Sequence, residues 1–460
     1  MRAVLTRDEM RAADAAALTE VTHETLVARA GTAVAHRALL LLGGAYGRRV
    51  TVVVGKGSNG ADGRVAAEYL TRRGARVTVV GAADAPSALP PCDLVIDGAY
   101  GTGFHGAYDA PVVAPGTPVL AIDIASGVDA DTGRASGAAT RATHTVTFAA
   151  LKPGLLQGDG PGLCGQVSVA DIGITFPTSR AALIEDADIA ALLPARPRQA
   201  NKWTNAVGIA AGSVGMEGAA ILCARGALAA GSGMVRLGSP GNPPAPWPEE
   251  VVRLRLPEAG WAAPFLEAAA KCRAVVVGPG LGTDPATMEE IRAVIAGAPV
   301  PVVIDADAIT ALGDMPDARA LLATCSEPRI LTPHDGEYGR LAGSPPGDDR
   351  LAAARDLAGR IGAIVLLKGP LTAVAAVESS PPDVLLASSG VPALATAGSG
   401  DVLTGVIAAF VARGVTAHGA AALAAHVHGR AASLGRPAGL VAGDLPDLIA
   451  QWLSTGPDHG

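Results

Sequence analysis

An aspartate that follows a turn of small residues is the strongest chemical signal in this sequence. Asp401 stands between the turn 397–400 and an apolar run that begins at Val402. Small residues let backbone N–H groups converge at a helix N-terminus, where the helix dipole adds positive potential, so the stretch suits a phosphate. A carboxylate beside a phosphate makes sense as a base that takes a proton from a reacting hydroxyl. The alternative is that Asp401 only caps the helix, since aspartate is a common capping residue.

A second set of polar residues lies in the first half of the chain, at the ends of apolar runs. Asp97, Asp123 and Ser126 follow such runs, and Asn59 follows the predicted strand 48–54. The carboxyl ends of successive parallel strands share one edge of an α/β sheet, so we expect these residues to converge. Their oxygen atoms would suit a hard monovalent or divalent cation. The alternative for each acid is that it caps the turn after its strand.

The turn after the first strand also contains a pattern typical of dinucleotide binding. Gly55, Gly57 and Gly60 spell G-x-G-x-x-G, and Asp84 follows the next strand, where a ribose-binding acid is expected. This pattern keeps a nicotinamide-dependent dehydrogenase open as an interpretation. Asp62 argues against it, because its negative charge would stand where a pyrophosphate docks on the helix N-terminus.

Alternating strands and helices must position these residues. The chain has 460 residues, of which 49% are hydrophobic and 3% aromatic, and this composition favours a compact α/β enzyme of two or three domains. Buried strands alternate with helices in both halves, which predicts parallel sheets. Prolines among small and basic residues predict a linker at 195–200, between a domain at 1–194 and a domain at 201–460.

Composition and charge exclude several classes of function. The formal net charge is −7 and the sequence contains no Lys/Arg run, which argues against nucleic acid as the main partner. The five cysteines are scattered, with no C-x-x-C pair, as expected for small buried residues in a reducing cytoplasm. No stretch approaches about 20 uncharged apolar residues, so we expect no membrane span.

The first half resembles the NAD(P)H-hydrate epimerase family over roughly residues 5–190. The segments VVVGKGSNGADGRVAAEYL, DGAYGTGFHG and AIDIASGVDADTG are similar to that family's motifs, with departures at Ser58, Ala61 and Ala125 and in the segment LVARAG. The resemblance implies a Rossmann-like three-layer sandwich, with a potassium ion held by Asn59, Asp97 and Ser126. It implies a substrate site at Ser58, Asn59, Gly60, Ala61, Asp62, Gly101, Thr102, Gly103, Phe104, His105, Gly106, Ala107 and Asp123.

The second half resembles the ADP/ATP-dependent NAD(P)H-hydrate dehydratase family within the ribokinase-like α/β sandwich fold. The matching segments are GSVGMEGAAILCARGALAAGSGMV, GPGLGTD, VIDADAI, LTPHDGE, LLKGPLT and GSGDVLTG, while NKWTNAVG departs from the usual opening. The resemblance implies that the hydrated nicotinamide contacts Ala220, Gly280, His334 and Asp401. It implies that ADP or ATP, with magnesium, contacts Lys368, Gly369, Pro370, Leu371, Thr372 and Gly400.

Two of these residues also have ordinary structural interpretations. His334 lies in an exposed turn between a strand and a helix, where it is a candidate ligand contact or a capping residue. Lys368 could hold a phosphate as a point charge, or it could be a solvated lysine in a β-hairpin.

Together the two halves predict an enzyme that repairs hydrated NADH and NADPH. The first domain would interconvert the R and S hydrates with Asp123 as the acid–base group at C6. The second would dehydrate the S form with ADP or ATP, Asp401 being the base. The family resemblance also implies a homo-oligomer that associates through the N-terminal domain. The alternatives are a ribokinase-type vitamin or sugar kinase fused to a Rossmann-like module, and an N-terminal half that only dimerises and senses cofactor.

Overall fold

The chain folds into two compact units. The structure, a computed structural model, describes residues 1–377 and 381–456. One unit comprises Arg2–Arg180, and the other comprises Met1 with Ala181–Gly460. The units divide earlier than the predicted linker because Ala181–Leu183 forms a strand that pairs with the sheet of the second unit. The domain boundaries at 1–194 and 201–460 stay a prediction.

The first unit alternates strands and helices as its sequence predicts. Its elements, in chain order, are β1 (Arg2–Val4), α1 (Arg7–Ala17), α2 (His23–Leu42), β2 (Arg49–Val54), α3 (Ser58–Arg72), β3 (Arg76–Gly81), β4 (Leu94–Gly98), β5 (Val119–Ile122), β6 (His144–Phe148), α4 (Gly160–Cys164) and β7 (Gln166–Ala170).

The sheet of the first unit is parallel throughout. Its strands run in the order β3-β2-β4-β5-β6-β7, and every neighbouring pair is parallel. The strands β4 and β5 are buried along their whole length, which explains their continuous apolar sequence. Since parallel strands end at the same edge, the polar residues after β2, β4, β5 and β6 lie along that edge.

The helix α2 is the one described helix that is long and apolar enough to cross a membrane by length and composition. Its residues Val34, Ala35 and Ala38 are fully buried inside the first unit. The helix also packs along α3. Its apolar face therefore belongs to the core of the first unit.

The Gly-rich turn after β2 is shorter than the sequence predicts. The glycine pattern places Gly60 in this turn, whereas α3 begins at Ser58. A Cβ atom on Gly60 would collide with the backbone of the preceding turn, so glycine is needed for this close approach. Because α3 begins at Ser58, Asn59 and Asp62 are its second and fifth residues, at a spacing that places them on one face of the helix.

The second unit is larger and follows the same alternation. Its elements are β8 (Ala181–Leu183), α5 (Ile189–Leu192), β9 (Ala206–Ala210), α6 (Glu217–Ala229), β10 (Met234–Pro240), β11 (Val251–Leu256), α7 (Ala262–Ala269), β12 (Ala274–Val277), α8 (Pro285–Gly297), β13 (Val302–Ile304), α9 (Asp307–Ala311), α10 (Met315–Leu322), β14 (Arg329–Leu331), α11 (Asp335–Ala342), α12 (Arg350–Ile361), β15 (Ile364–Leu367), β16 (Thr372–Ala375), β17 (Val384–Ala387), α13 (Ser399–Ala412), α14 (Ala417–Ala432) and α15 (Leu445–Thr455).

The sheet of the second unit is mixed. Its own strands run in the order β8-β17-β16-β15-β14-β13-β12-β9-β10-β11. The strand β16 is antiparallel to both of its neighbours, whereas the other pairs are parallel. The hairpin of β15 and β16 confirms the sequence-based expectation for the segment around Lys368.

The helix α13 is buried and positions the predicted base. All its residues from Val402 to Ala412 are buried, and the helix packs against α6 and α14. A Cβ atom on Gly405 or on Gly226 would collide with the backbone of the opposite helix, so these glycines let α13 approach α6 closely. Asp401 is the third residue of this rigidly held helix.

Candidate active sites

The first unit contains a large cavity at the carboxyl edge of its sheet. Its volume is about 1070 Å³. The predicted substrate residues that line it are Ser58, Asn59, Asp62, Gly101, Thr102, Gly103, Phe104, His105 and Asp123. Four other predicted residues are not among the described residues lining the cavity. Gly60 and Ala61 lie in the first turn of α3, and Gly106 and Ala107 are exposed in the loop that follows β4.

Asp123 forms a buried ion pair with Lys152. The lysine Nζ lies 2.6 Å from Asp123 Oδ1 and also donates hydrogen bonds to Thr147 Oγ1 and to the Phe148 carbonyl. Thr147 Oγ1 donates to the same Asp123 oxygen at 2.9 Å. Lys152 is 1% exposed and Asp123 is 7% exposed. The carboxylate of Asp123 is therefore held in place by a cation that water barely reaches.

The backbone at Asp123 is strained. Its φ angle is 68°, in the left-handed region that residues other than glycine seldom adopt. Strain of this kind persists only where the surrounding structure holds it, and it is frequent at functional sites. Here the strained turn directs the side chain of Asp123 toward Lys152 and the cavity.

Asp62 lines the same cavity but has no partner. It is 4% exposed, and it forms no hydrogen bond or ion pair with any residue that the structure describes. Burial, reinforced by the negative charge of Asp123, raises the pKa of Asp62 to about 8. Asp14 of α1 also lines the cavity, and burial and Asp123 raise its pKa as well. At neutral pH the cavity thus holds a protonated Asp62 near an ion-paired Asp123.

The three predicted potassium ligands meet below the cavity. Ser126 Oγ donates to Asp97 Oδ1 at 2.7 Å and lies 3.1 Å from the Tyr100 carbonyl. The side-chain nitrogen of Asn59 lies 3.3 Å from the same carbonyl and 2.6 Å from the Ile122 carbonyl. Carboxylate, hydroxyl, amide and carbonyl oxygens are the donors that a hard cation prefers.

The environment of Asp97 fits a monovalent cation. Asp97 is 2% exposed, and no lysine, arginine or histidine among the described residues forms an ion pair with it. Burial raises its pKa, although hydrogen bonds from Ser126 oppose that effect. A buried carboxylate without a cationic partner is costly, and a bound cation would remove that cost. The described residues contain no cluster of three His, Cys, Asp or Glu side chains that could hold a transition metal.

In the second unit, Asp305 and Lys368 form the central ion pair. Lys368 Nζ lies 2.9 Å from Asp305 Oδ1 and 3.7 Å from Glu337 Oε2. Thr332 donates to Asp305 Oδ1 at 2.7 Å, and Thr404 of α13 donates to Oδ2 at 2.8 Å. Burial alone would raise the pKa of Asp305, but Lys368 and these hydrogen bonds outweigh it, so the pKa is lowered.

Lys368 is consequently not a solvated hairpin lysine. Its charge is shared between two carboxylates, which raise its pKa against the opposing effect of burial. The Nζ atom also lies against the first turn of α13, since a Cβ atom on Gly400 would be 3.6 Å away from it. The lysine therefore stands where the sequence places the phosphate.

Asp401 is not the cap of α13. The N-cap residue is Gly398, whose φ angle of 89° suits glycine, and Asp401 is the third helical residue. Its carboxyl group forms no hydrogen bond or ion pair with any described residue. Burial raises the pKa of Asp401 to about 7, and the charge of Asp305 adds to the rise while Lys368 partly offsets it. A free carboxyl with this pKa suits a general base near neutral pH.

His334 does serve as a capping residue. Its Nδ1 accepts hydrogen bonds from the backbone N–H groups of Gly336 and Glu337 at 3.0 and 3.2 Å, while Glu337 accepts from the His334 N–H. The side chain is nevertheless 59% exposed, so its other edge is accessible to a ligand. Both interpretations of His334 from the sequence are therefore compatible with its position.

Arg350 binds the backbone of the predicted nucleotide loop, residues 368–372. Arg350 donates to the carbonyl of Lys368 at 2.6 Å and to that of Leu371 at 3.3 Å, and it pairs with Asp335 at 3.0 Å. Leu371 is 1% exposed, so its side chain faces the core. Of the remaining predicted residues, Gly369 and Pro370 lie in the turn between β15 and β16, and Thr372 is the first residue of β16.

Two predicted contacts to the hydrated nicotinamide lie in tightly packed positions. Ala220 belongs to α6 and is 0% exposed, and Gly280 is buried after β12 with a φ angle of 65°. The carbonyl of Gly280 accepts a hydrogen bond from Ser213 at 2.8 Å. Neither residue offers a side chain to a ligand, so any contact would come through the backbone near the start of α6.

Four residues at these sites were missing from the sequence-based set. Lys152 and Asp305 each follow an apolar strand, and this position was the available signal for both. Asp14 and Arg350 lie on amphipathic helices far along the chain from the residues they approach. Nothing local in the sequence marks such residues, because their role depends on tertiary contacts.

Comparisons with known proteins agree with this arrangement. A family model described as NAD(P)H-hydrate dehydratase matches residues 207–454, and one described as YjeF-related protein N-terminus matches residues 23–90 and 80–154. The bifunctional NAD(P)H-hydrate repair enzyme Nnr of Mycobacterium tuberculosis is 40% identical over 454 residues, which cover 92% of each chain.

Solved structures resemble the second unit. A ribokinase-like superfamily protein of Enterococcus faecalis aligns with a TM-score of 0.52 and 20% identity, over 61% of this chain and 98% of that chain. An ADP/ATP-dependent NAD(P)H-hydrate dehydratase of Bacillus subtilis, co-crystallised with ATP and Mg²⁺, aligns with a TM-score of 0.49 and 28% identity, over 59% and 97% of the two chains. The first of these confirms the predicted ribokinase-like fold.

The extent of these matches decides the family. The relative from Mycobacterium tuberculosis has the same two-part organisation as this chain, since the alignment covers both halves. These matches favour a repair enzyme over the dehydrogenase and over the vitamin or sugar kinase fused to a Rossmann-like module. The chain belongs to the family of bifunctional NAD(P)H-hydrate repair enzymes.

Proposed function

We propose that this chain repairs hydrated NADH and NADPH in two steps. The first unit interconverts the R and S hydrates, and the second unit dehydrates the S form at the expense of ADP or ATP. One observation carries the proposal. In each unit an unpaired carboxyl with a raised pKa accompanies a carboxylate–lysine ion pair at the end of buried strands.

The second unit would activate the hydroxyl group at C6 of the hydrate by phosphorylation. Asp401 takes the proton of that hydroxyl while the oxygen attacks the terminal phosphate of the nucleotide. The backbone at the start of α13 and the charge of Lys368 stabilise the transferring phosphate. Loss of the phosphate as a leaving group then restores the dihydropyridine ring. Magnesium, when bound with the nucleotide, neutralises charge on its phosphates.

The first unit would hold the hydrate in the cavity at the edge of its sheet. Asp123 and Asp62 both line this cavity, and the loop after β4 contributes Thr102 and Phe104. We propose that potassium occupies the cluster of Asn59, Asp97 and Ser126, where it fixes the start of α3 and the turn after β5. Association into a homo-oligomer and a cytoplasmic location stay predictions.

The proposal is tested with a mixture of R and S hydrates of NADH. The purified chain is incubated with the mixture and either ADP or ATP, and recovery of the reduced-nicotinamide absorbance is followed. Complete recovery is expected. A halt once only the S fraction has been consumed would mean that the first unit does not epimerise. No recovery, with nucleotide consumed on a vitamin or sugar, would replace the proposal with a kinase.

A further inference from the structure

Epimerisation at C6 needs proton transfers on two sides of one carbon atom. The hydroxyl group must be protonated as it leaves one face, and water must lose a proton as it adds to the other face. A single carboxylate cannot reach both faces at once. The first unit should therefore contain a second acid–base group besides Asp123, and this expectation rests on the function proposed above.

Asp62 is the described residue that best meets this requirement. It is 4% exposed, it lines the cavity, and it has no hydrogen-bond or ion-pair partner among the described residues. A buried polar group without a partner costs free energy, so its persistence indicates a role with a ligand. Asp62 is also the fifth residue of α3, and the helix fixes the direction of its side chain.

Asp123 differs from Asp62 in its contacts. Asp123 is held by Lys152 at 2.6 Å and accepts a hydrogen bond from Thr147, an arrangement that suits a proton acceptor. Asp62 lies in a buried environment, near the negative charge of Asp123, that favours its neutral form. One group can therefore donate a proton at neutral pH, and the other can accept one.

We infer that Asp62 is a catalytic residue of the first unit, paired with Asp123 across the C6 atom of the hydrate. In one direction the carboxyl of Asp62 protonates the C6 hydroxyl, the C–O bond breaks, and water leaves while the N1 lone pair stabilises the resulting cation. Water then adds to the opposite face, the new C–O bond forms, and its proton passes to Asp123. The reverse direction exchanges the two roles, and no co-reactant other than water is needed.

The second unit provides an independent example of the same arrangement. There the ion-paired Asp305 stays with Lys368, and the unpaired Asp401 is the group placed to move a proton. By this comparison, the mobile proton of the first unit belongs to the unpaired Asp62 rather than to Asp123 alone.

Apart from the pair of Asp123 and Lys152, the other charged groups around the cavity are more exposed to water than Asp62. Asp123 and Lys152 neutralise each other, and Asp14 approaches from α1. The remaining titratable or charged residues that line the cavity are His23, Lys56, Arg64, Asp84, Tyr100 and His105.

The decisive experiment compares three variants, using purified R hydrate of NADH without nucleotide, so that the second unit is silent. Formation of the S hydrate is followed by chromatography. We expect Asp62→Asn to lower kcat by about 100- to 10,000-fold while KM changes little, because an acid–base residue acts in the transition state. Asp8→Asn, the same substitution at an exposed ion pair of α1, should stay within about threefold of the unaltered chain.

A conservative variant separates catalysis from packing. Asp62→Glu keeps the carboxyl group but adds a methylene at a site that is 4% exposed. We expect it to retain more activity than Asp62→Asn. If Asp62 were only a packing residue, the isosteric asparagine would be tolerated better than the larger glutamate. Equal activity of Asp62→Asn and the unaltered chain, or a better asparagine than glutamate, would overturn the inference.

An isotope experiment tests the bond that breaks. In water enriched in ¹⁸O, each inversion at C6 should place solvent oxygen in the hydroxyl group, as judged by mass spectrometry of the S hydrate. Inversion without incorporation above the non-enzymatic background would contradict the proposed C–O cleavage. If the unaltered chain did not epimerise at all, the proposed function would fail instead, so the two failures can be told apart.

Discussion

The two units hold similar chemical groups in different arrangements. Each has a buried aspartate paired with a lysine, Asp123 with Lys152 at 2.6 Å and Asp305 with Lys368 at 2.9 Å. Each also has an unpaired carboxyl group with a raised pKa, Asp62 or Asp401. Both units therefore contain a charge-neutral aspartate–lysine pair beside a second carboxyl group that is free to exchange a proton.

The difference between the units lies in how far water reaches the lysine. Lys152 is 1% exposed and contacts one carboxylate, whereas the side chain of Lys368 is 22% exposed and lies near two. A lysine that is accessible and shared can also meet an incoming phosphate, as phosphoryl transfer requires. A lysine that water does not reach can only hold its aspartate in place. This role suits an epimerisation whose only co-reactant is water.

The largest expected effect is the loss of one unit's activity while the activity of the other unit is unchanged. Asp401→Asn should lower nucleotide-dependent dehydration of S hydrate by about 100- to 10,000-fold, because the base is lost. Epimerisation of R hydrate should be unchanged. Absorbance recovery measures the first activity, and chromatography of the hydrates measures the second. Asp356→Asn, at an exposed ion pair of α12, is the matched control. Dehydration at a near-normal rate in Asp401→Asn would refute the assignment of the base.

The ion pairs can be compared by removing each lysine. Lys152→Met leaves Asp123 as a buried, unpaired charge, which should destabilise the first unit by about 3–5 kcal/mol. Lys368→Met should cost less, because Asp305 keeps its hydrogen bonds from Thr332 and Thr404. The urea concentration at which each activity disappears reports the stability of its own unit. Equal resistance of Lys152→Met and the unaltered chain would contradict the pairing.

Potassium should matter for the first unit. Replacing potassium with tetramethylammonium, or introducing Asp97→Asn, should slow epimerisation by about 10-fold or more, as loss of a supporting contact does at metal sites. The initial rate of S-hydrate formation at several potassium concentrations measures this effect. In Asp97→Asn the dependence on potassium should disappear. If the epimerisation rate of the unaltered chain did not depend on potassium, the proposed cation site would be wrong.

The smallest effect is a shift in the pH profile of dehydration. Asp401 must be ionised to act as a base, so the rate should rise with pH through about 7. The negative charge of Asp305 raises the pKa of Asp401, so Asp305→Asn should move this rise to lower pH, by about one pH unit. Thr332→Val removes a hydrogen bond to Asp305 but no charge, and it should leave the position of the rise unchanged. A shift to higher pH in Asp305→Asn would contradict the electrostatic argument.

The sequence predicts where the strands end better than it predicts which side chains form pairs. The apolar runs before Asp97 and Asp123 end at the sheet edge as expected, because buried parallel strands leave little freedom in register. The pairing of Asp123 with Lys152 depends on how the turn after β6 folds back, which no local pattern encodes. The strained backbone of Asp123 is likewise a tertiary feature.

Helix starts were the least accurate part of the prediction. Glycines at the start of α3 and α13 suggested longer turns, but both helices begin before their functional residues, at Ser58 and Ser399. The glycines serve close packing there, which propensity alone cannot distinguish from a turn. This is why the sequence alone cannot separate Asp401 from a capping residue.

The most direct test of the account starts from pure R hydrate with ADP or ATP, because recovery of reduced nicotinamide then requires both units. The unaltered chain should recover the full absorbance after a lag. Asp62→Asn should recover almost none, and Asp401→Asn should accumulate the S hydrate without recovery. Rapid recovery in Asp62→Asn, or no accumulation of S hydrate in Asp401→Asn, would contradict the claim that two unpaired carboxyl groups, one in each unit, move the protons of two successive steps.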